Sequence, residues 1–128
     1  MASWDELKAF VHREWNATDL DDNNLQLVFE LPSLRSQAVV VEHASNEEAD
    51  WVKFKSAIGQ LSEIDLWTAA EALSRKVVGG IIVEEGYVVV VSAMPLANVD
   101  RTDIIETMFR ITSIADELEN QFLGTDSI

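Results

Sequence analysis

Residues 79–96, GGIIVEEGYVVVVSAMPL, and residues 98–123, NVDRTDIIETMFRITSIADELENQFL, set the architecture of this 128-residue chain. The first segment predicts a β-hairpin that turns at Glu85–Gly86, because glycine can adopt the positive φ that tight turns require. The second predicts a long helix, with Asp100 at its N-cap and Gly124 as its stop. Its apolar side chains recur at steps of four and three, at Ile104, Met108, Ile111, Ala115, Leu118 and Phe122. We therefore predict one long helix with a buried apolar stripe.

Two further helices are predicted before the hairpin. The first runs from about Ser3 to Trp15, where Ser3 and Glu6 have the spacing of a capping box. Its apolar residues follow steps of three and four, at Trp4, Leu7, Val11 and Trp15. The second lies in IDLWTAAEALSRK, residues 64–76, and Asp65 or Ser62 is placed to cap it.

Between these helices the apolar period changes to two, which is typical of β-strands. Leu25–Leu31 alternates and ends at Pro32, and QAVVVEHAS (residues 37–45) and WVKFKSAIG (residues 51–59) follow as two more strands. These segments predict a three-stranded antiparallel meander. NATDLDDNN, residues 16–24, is a cluster of turn-forming residues, so we expect a turn there.

The resulting order is α-β-β-β-α-β-β-α, an α+β fold with a five-stranded antiparallel sheet packed against helices. We expect a single domain over residues 1–124, followed by a polar tail over residues 125–128. The last strand, Tyr87–Met94, is apolar on both faces. Such a strand belongs in the interior of a sheet, where its surfaces are covered by helices or by another subunit.

The chain is strongly acidic, with 23 acidic against 9 basic residues and a net charge of −14. This charge disfavours binding to nucleic acid or to an anionic membrane surface. It indicates either solubility alone or a carrier for a basic or aggregation-prone partner. The longest apolar run, Tyr87–Val91, is too short to cross a bilayer, the N-terminus lacks a signal-peptide pattern, and there is no cysteine. We expect a cytoplasmic protein.

The last third of the chain also resembles a known group of proteins. IIVEEGYVVVVSAMPL (residues 81–96), followed by a turn and a helix ending in SIADELENQFL (residues 113–123), is similar to the closing part of YbjN-type proteins. The whole element order, in a small acidic chain, resembles the type III secretion chaperones, to which that family is related. This resemblance implies a five-stranded antiparallel sheet, a homodimer, and a role in holding other polypeptides or in regulation.

One segment has the spacing of a calcium loop. In DLDDNNLQLVFE, residues 19–30, the first, third, fifth and twelfth places are held by Asp19, Asp21, Asn23 and Glu30. The sixth place, which requires glycine, is Asn24, and the later places coincide with the predicted strand. We therefore expect an ordinary polar turn.

No pattern in the sequence predicts catalysis, a metal or a cofactor. His12 and His43 lack the spacing of paired zinc ligands, and without cysteine there is no thiolate ligand. No nucleophile elbow and no glycine-rich phosphate loop is present. We therefore predict that the protein is not an enzyme and uses no cofactor.

The apolar surplus of the last strand indicates association. Val88, Val90 and Met94 lie on the opposite face to Val89 and Val91, so both faces need cover. Either the first two helices supply it within one chain, or a dimer or a bound peptide does. The predicted partner or dimer interface consists of Trp51, Trp67, Ile82, Val88, Val90 and Met94.

These observations predict a non-catalytic protein-binding domain, chaperone-like or regulatory. We expect it to act as a homodimer that holds an extended segment of a partner protein or peptide. The alternative function is a small-molecule or ion-responsive regulator that binds its ligand between helix and sheet.

Overall fold

The computed structural model describes residues 3–32, 35–76 and 79–123 of the chain. The helices are α1 (Trp4–Glu14), α2 (Leu66–Leu73) and α3 (Arg101–Leu123), with a 3₁₀ turn at Leu96–Asn98. The strands are β1 (Thr18–Asp21), β2 (Asn24–Glu30), β3 (Ser36–Ser45), β4 (Asp50–Gln60), β5 (Gly80–Glu84) and β6 (Tyr87–Pro95). None of the helices in these ranges is both long and apolar enough to cross a membrane.

The sheet is antiparallel throughout, and its strand order is β1-β2-β3-β4-β6-β5. The predicted meander is confirmed as β2-β3-β4, and β6 takes the interior position expected for an apolar strand. Within the described ranges the sheet has six strands, however, so the prediction of five was wrong. The additional strand is β1, Thr18–Asp21, which lies in the segment expected to be a turn and pairs with the first half of β2.

The helix starts are confirmed, because each has its side-chain cap. The Glu6 amide donates to Ser3 Oγ at 3.2 Å, and the Thr68 amide donates to Asp65 Oδ2 at 3.3 Å. At α3 the Asp103 amide donates to Asp100 Oδ1 at 2.8 Å, and Asp103 caps the Asp100 amide in return at 3.1 Å. The predicted stop at Gly124 and the tail lie outside the described residues.

All three helices contribute side chains to one core on one face of the sheet. The strands supply alternate residues to that core, such as Val52 and Phe54 of β4 and Val88 and Val90 of β6. The opposite face carries the intervening residues, including Val89, which is buried but does not belong to this core. The described fold is thus a sheet with a helical layer on one side.

A buried lysine lies on the sheet face opposite to the helices. Lys55 Nζ donates to Glu84 Oε1 at 2.9 Å and lies 3.1 Å from Glu42 Oε1, which ties β4 to β5 and β3. Burial disfavours the charged ammonium, but the hydrogen bonds and negative charges of these two carboxylates outweigh it. They raise the pKa of Lys55 above its ordinary value.

Candidate protein-binding groove

An apolar groove of about 510 Å³ lies between α3, the end of β2 and the residue that caps α1. One wall runs along α3 from Ile105 to Asp116, which corresponds to about 16 Å of helix. The other wall is formed by Trp15 and by residues 29–32. The lining residues are Trp15, Phe29, Glu30, Leu31, Pro32, Ile105, Met108, Phe109, Thr112, Ser113 and Asp116.

The groove has an aromatic side because of how α1 ends. Trp15 follows the last turn of α1, and its amide still donates to the Val11 carbonyl at 2.9 Å. The indole meets the ring of Phe29 edge to face, with centroids 6.4 Å apart, and meets Phe10 in the same way at 6.2 Å. These contacts fix the tryptophan against the sheet.

The α3 side of the groove includes Met108 of the buried stripe and two apolar residues that do not belong to the stripe. Ile105 and Phe109 each follow a stripe residue by one position, so they point away from the core. The Ile105 side chain is 44% exposed and that of Phe109 is 76% exposed. Together they form an apolar rim beside the groove.

β2 bonds to β3 along one of its edges, and its other edge lies next to the groove. The bonds to the β3 side show which residues point which way: the Leu31 amide donates to the Arg35 carbonyl at 3.0 Å, and the His43 amide donates to the Asn23 carbonyl at 2.8 Å. Residues of one strand alternate the direction of their backbone groups, so the odd-numbered residues of β2 bond to β3 and the even-numbered ones point away from it.

Strand β1 satisfies only half of these outward groups. Its register partners on β2 are Asn24, Leu25 and Gln26, and no pairing continues to Val28 or Glu30. Within the described part of the chain, the backbones of Val28 and Glu30 have no hydrogen-bond partner on that side. The groove therefore lies beside a free sheet edge, which offers donors and acceptors for another strand.

The charged groups at the groove are acidic. Its lining includes Glu30 and Asp116, and no lysine or arginine. Arg35 holds Asp116, with Nε 3.2 Å from Oδ1, and also donates to Asn120 Oδ1 at 2.8 Å. Glu30 makes no ion pair with any described residue. The rim therefore retains an unneutralised carboxylate.

The structure places the predicted interface residues in different environments. Val88 and Val90 are fully buried beneath the helices of their own chain, so they belong to the core and cannot form a contact surface of the folded protein. Met94 is partly buried against the same core. Trp67 is 79% exposed on α2, and Ile82 is half-buried on the edge strand β5.

Trp51 lies on β4 next to Pro95 of β6. Its side chain is partly buried, and the indole Nε1 is buried with no hydrogen-bond partner in the described part of the structure. The structure therefore does not bring the six predicted residues together in one patch. Trp51, Trp67, Ile82 and Met94 remain predictions as interface residues.

The four calcium-loop residues do not converge. Asp19 Oδ1 lies 2.7 Å from His12 Nε2 and Oδ2 lies 3.7 Å from Lys8 Nζ. Asp19 is paired with Leu25, whereas Glu30 lies at the far end of β2, roughly 17 Å away along the strand. The described ranges contain no group of three acidic or histidine side chains that could hold a metal ion.

Asp21 instead organises the β1–β2 turn. Its carboxylate accepts from the Asn23 amide at 2.8 Å and from Asn24 Nδ2 at 2.9 Å. The bond from the Asn24 side chain, followed by that from the Asn23 backbone, lowers the pKa of Asp21 below its ordinary value. These contacts are those of a polar hairpin turn.

His43 has a structural environment. Its ring stacks on Trp4, with centroids 5.3 Å apart and planes 9° from parallel. Nδ1 lies 3.0 Å from Asn23 Oδ1, and Nε2 lies 3.5 Å from Asp50 Oδ1. The histidine thus joins α1, the β1–β2 turn and β4.

The sequence reasoning did not identify the groove, because its residues come from three separate elements. One local signal was available: Ile105 and Phe109 are apolar but fall outside the helical stripe. The free half of β2 had no such signal, since it depends on where β1 stops pairing.

No family model and no curated protein matches the sequence. Among solved structures, a chain of "Structure of the HopA1-SchA Chaperone-Effector Complex" is similar, with a TM-score of 0.56 and 13% identity. The likeness covers 91% of this chain and 88% of that chain. At this identity it concerns the fold alone. The chain therefore has an α+β fold, an antiparallel sheet packed with helices, similar to one found in a chaperone–effector complex.

Proposed function

We propose that this protein is a non-catalytic, chaperone-like protein-binding domain that holds an extended segment of a partner. The observation that carries the proposal is the apolar groove directly beside the unpaired half of β2. The similarity of the fold to that of a chain in a chaperone–effector complex supports the same function. In this proposal the chain's own residues bind a polypeptide and perform no chemical step.

A partner segment would bind by joining the sheet. Its backbone would exchange hydrogen bonds with Val28 and Glu30, whose outward groups bond to none of the described residues. The side chains of a strand alternate between two faces, so every second residue of the partner would enter the groove on the helix side, next to Phe29. Backbone bonds would supply affinity, and the groove would select apolar residues.

The charge of the protein supports a partner segment with basic residues. The chain carries a net charge of −14, and the rim of the groove presents Glu30. A lysine or arginine flanking the apolar residues of the partner would meet this carboxylate. The wider acidic field would also increase the rate of encounter, in a salt-dependent manner.

The proposed working form is a cytoplasmic homodimer related to the YbjN-type proteins. Trp67 is the most exposed large apolar side chain in the described structure, and Leu66 beside it is 36% exposed. Among the described strands β5 pairs only with β6, so its outer edge is also open, and Ile82, paired with Val89, lies on the sheet face away from the helices. A two-fold contact through α2 and the outer edge of β5 would cover Trp67 and Leu66 on both copies.

The test uses a photo-crosslinking amino acid placed at Phe109, on the rim of the groove. The tagged chain is expressed in its native cell, irradiated and purified, and the crosslinked peptides are identified by mass spectrometry. We expect one continuous partner segment that contains alternating apolar residues and a basic residue. The matched control carries the same amino acid at Glu48, an exposed position in the β3–β4 turn. The same peptides at both positions would contradict the proposal.

A substitution at the free edge tests strand addition separately. Val28→Pro removes an amide that bonds to no described residue and blocks the approach of another strand. We expect Val28→Pro to reduce crosslinking at position 109 by about tenfold or more, the equivalent of about 1.4 kcal/mol. Val28→Thr keeps the amide and is expected to retain binding. Equal crosslinking by the two variants would place the partner elsewhere.

A second candidate function is a small-molecule-responsive regulator. The observation that favours it is the volume of the groove between helix and sheet, about 510 Å³, which falls within the range of ligand pockets. A small molecule would not need the free strand edge. Its binding, measured as a shift in melting temperature, is therefore expected to be unchanged by Val28→Pro.

A further inference from the structure

Strand β1 is only weakly built into the fold. All four of its residues are exposed, and its single apolar side chain, Leu20, is 52% exposed. Its pairing with β2 is interrupted by an irregularity between Asp19 and Asp21. A strand that buries no apolar side chain gains little from packing, so its attachment depends on a few backbone bonds and polar contacts.

The polar contacts hold β1 to α1. Asp19 reaches His12 and Lys8 on the helix at 2.7 Å and 3.7 Å. These side chains are between a quarter and a half exposed, and exposed ion pairs contribute little stability. The turn to β2 is held by the Asp21 contacts with Asn23 and Asn24. The turn is also held by Trp4, whose Nε1 donates to the Asp22 carbonyl at 2.8 Å, and by His43, whose Nδ1 lies 3.0 Å from Asn23 Oδ1. The four residues of β1 itself are thus fastened only at the surface.

β1 also pairs with outward-pointing backbone N–H and C=O groups of β2, which are the groups that the partner segment would use. The outward-pointing residues of β2 are Asn24 and Gln26, which pair with β1, and Val28 and Glu30, which pair with no described strand on that side. All four lie on one continuous edge of one strand. A partner strand that started at Glu30 and ran along this edge would collide with Thr18 after two outward residues.

We propose that β1 occupies part of the binding edge of β2 in the free protein. A partner strand displaces β1 and thereby extends its own pairing with β2 from Glu30 to Asn24. The inference rests on the proposed function, because it concerns the same edge. A partner would place apolar residues in the groove, whereas β1 buries none. A partner segment would therefore displace β1 only if its side chains also fill the groove. A segment that offers backbone hydrogen bonds alone would not displace β1 and would be excluded from this part of the edge.

The first test measures hydrogen exchange of the free protein by NMR. The Gln26 amide points to β1, and the Leu27 amide points to β3. We expect the Gln26 amide to exchange about a hundredfold faster than that of Leu27, through a local opening that is insensitive to low concentrations of urea. Exchange of both amides at the rate of global unfolding would overturn the inference.

The second test locks β1 in place. Thr18 and Gln26 face each other across the ladder, and the sequence contains no cysteine, so Thr18→Cys with Gln26→Cys can form a single disulfide. The probes are synthetic peptides of alternating leucine and lysine, one of about five residues and one of about nine, which span half and all of the edge. Peptides of alternating leucine and glutamate of the same lengths are the controls.

For the reduced protein we expect the longer leucine–lysine peptide to bind about tenfold more tightly than the shorter one, by fluorescence titration. In the oxidised protein this advantage should disappear, and a reductant should restore it. Asp19→Ala, which removes the contacts to α1, should increase the advantage. An advantage that persists in the oxidised protein would overturn the inference. Failure of both peptides to bind the reduced protein would count against the strand-addition site itself. Fast exchange of the Gln26 amide would then still show that β1 detaches from β2, although no peptide replaces it.

Discussion

Met108 and Phe109 are neighbours in α3 and have opposite environments. Met108 is 1% exposed and packs in the core, whereas Phe109 is 76% exposed on the rim of the groove. The preceding turn repeats this arrangement with Ile104 and Ile105. Each of these turns supplies one side chain to the core and one to the candidate binding surface.

This pair allows a matched test of the buried stripe. Met108→Asp places a carboxylate at a core position that is 1% exposed, and we expect it to lower the free energy of unfolding by about 3 to 5 kcal/mol. Phe109→Asp introduces the same group one position later in the exposed helix surface, and its effect should stay within about 0.5 kcal/mol. Urea denaturation followed by circular dichroism measures both. Similar midpoints for the two variants would show that the stripe is not the core.

The same two residues show how far the sequence could predict the site. The period of the stripe, which includes Met108, follows from the geometry of a helix against a sheet and needs no knowledge of the partner elements. The role of Phe109 depends on Trp15 and Phe29, which approach α3 only in the folded chain. An apolar residue outside the stripe indicates a second surface without revealing what lies beside it.

The β5–β6 hairpin shows an element whose turn is not optimal for its conformation. Glu85 has a φ of 51° and Gly86 a φ of 84°. Positive φ at both central residues is the requirement of a type I′ turn, for which Asn-Gly is preferred. Glutamate pays a steric cost there that asparagine largely avoids.

We therefore expect Glu85→Asn to raise the free energy of unfolding by about 0.5 kcal/mol. Gly86→Ala should lower it by about 1 kcal/mol, and the reason is backbone conformation alone, because a Cβ at this position would meet no atom within 4 Å. Thermal denaturation of the two variants and the parent measures both effects. A destabilised Glu85→Asn variant would show that the glutamate side chain has a role that its backbone conformation does not reveal.

The strands differ in how visible they are in the sequence. β2 alternates from Leu25 to Leu31 because one of its faces is buried, and that alternation predicted it. β1 was missed because all four of its residues are exposed, so burial imposes no pattern on them. Its strand conformation comes from the two-residue turn at Asp22–Asn23 and from pairing with a neighbour, neither of which leaves an apolar period.

At the scale of the whole molecule, the helical layer covers one face of the sheet, and the two proposed association surfaces lie at its borders. The groove lies where β1 stops pairing with β2, and α2 lies next to β5 at the other edge. A segment bound at the first border and a second copy bound at the other would not compete for the same residues. The proposed partner site and the proposed dimer are therefore compatible.

The dimer predicts a mass that depends on concentration. Sedimentation at micromolar concentration should give twice the chain mass of 14.3 kDa, because a stable two-fold contact buries on the order of 1,200 Å² or more. Trp67→Glu places a charge at the most exposed apolar position of α2 and should yield a monomer that remains folded. Phe109→Glu, at an equally exposed aromatic of α3, is the matched control and should remain dimeric. Val90→Arg is unsuitable, because an arginine at this fully buried core position would unfold the chain instead of dissociating the dimer. A single-chain mass at every concentration would refute the dimer, and a dimeric Trp67→Glu variant would place its interface away from α2.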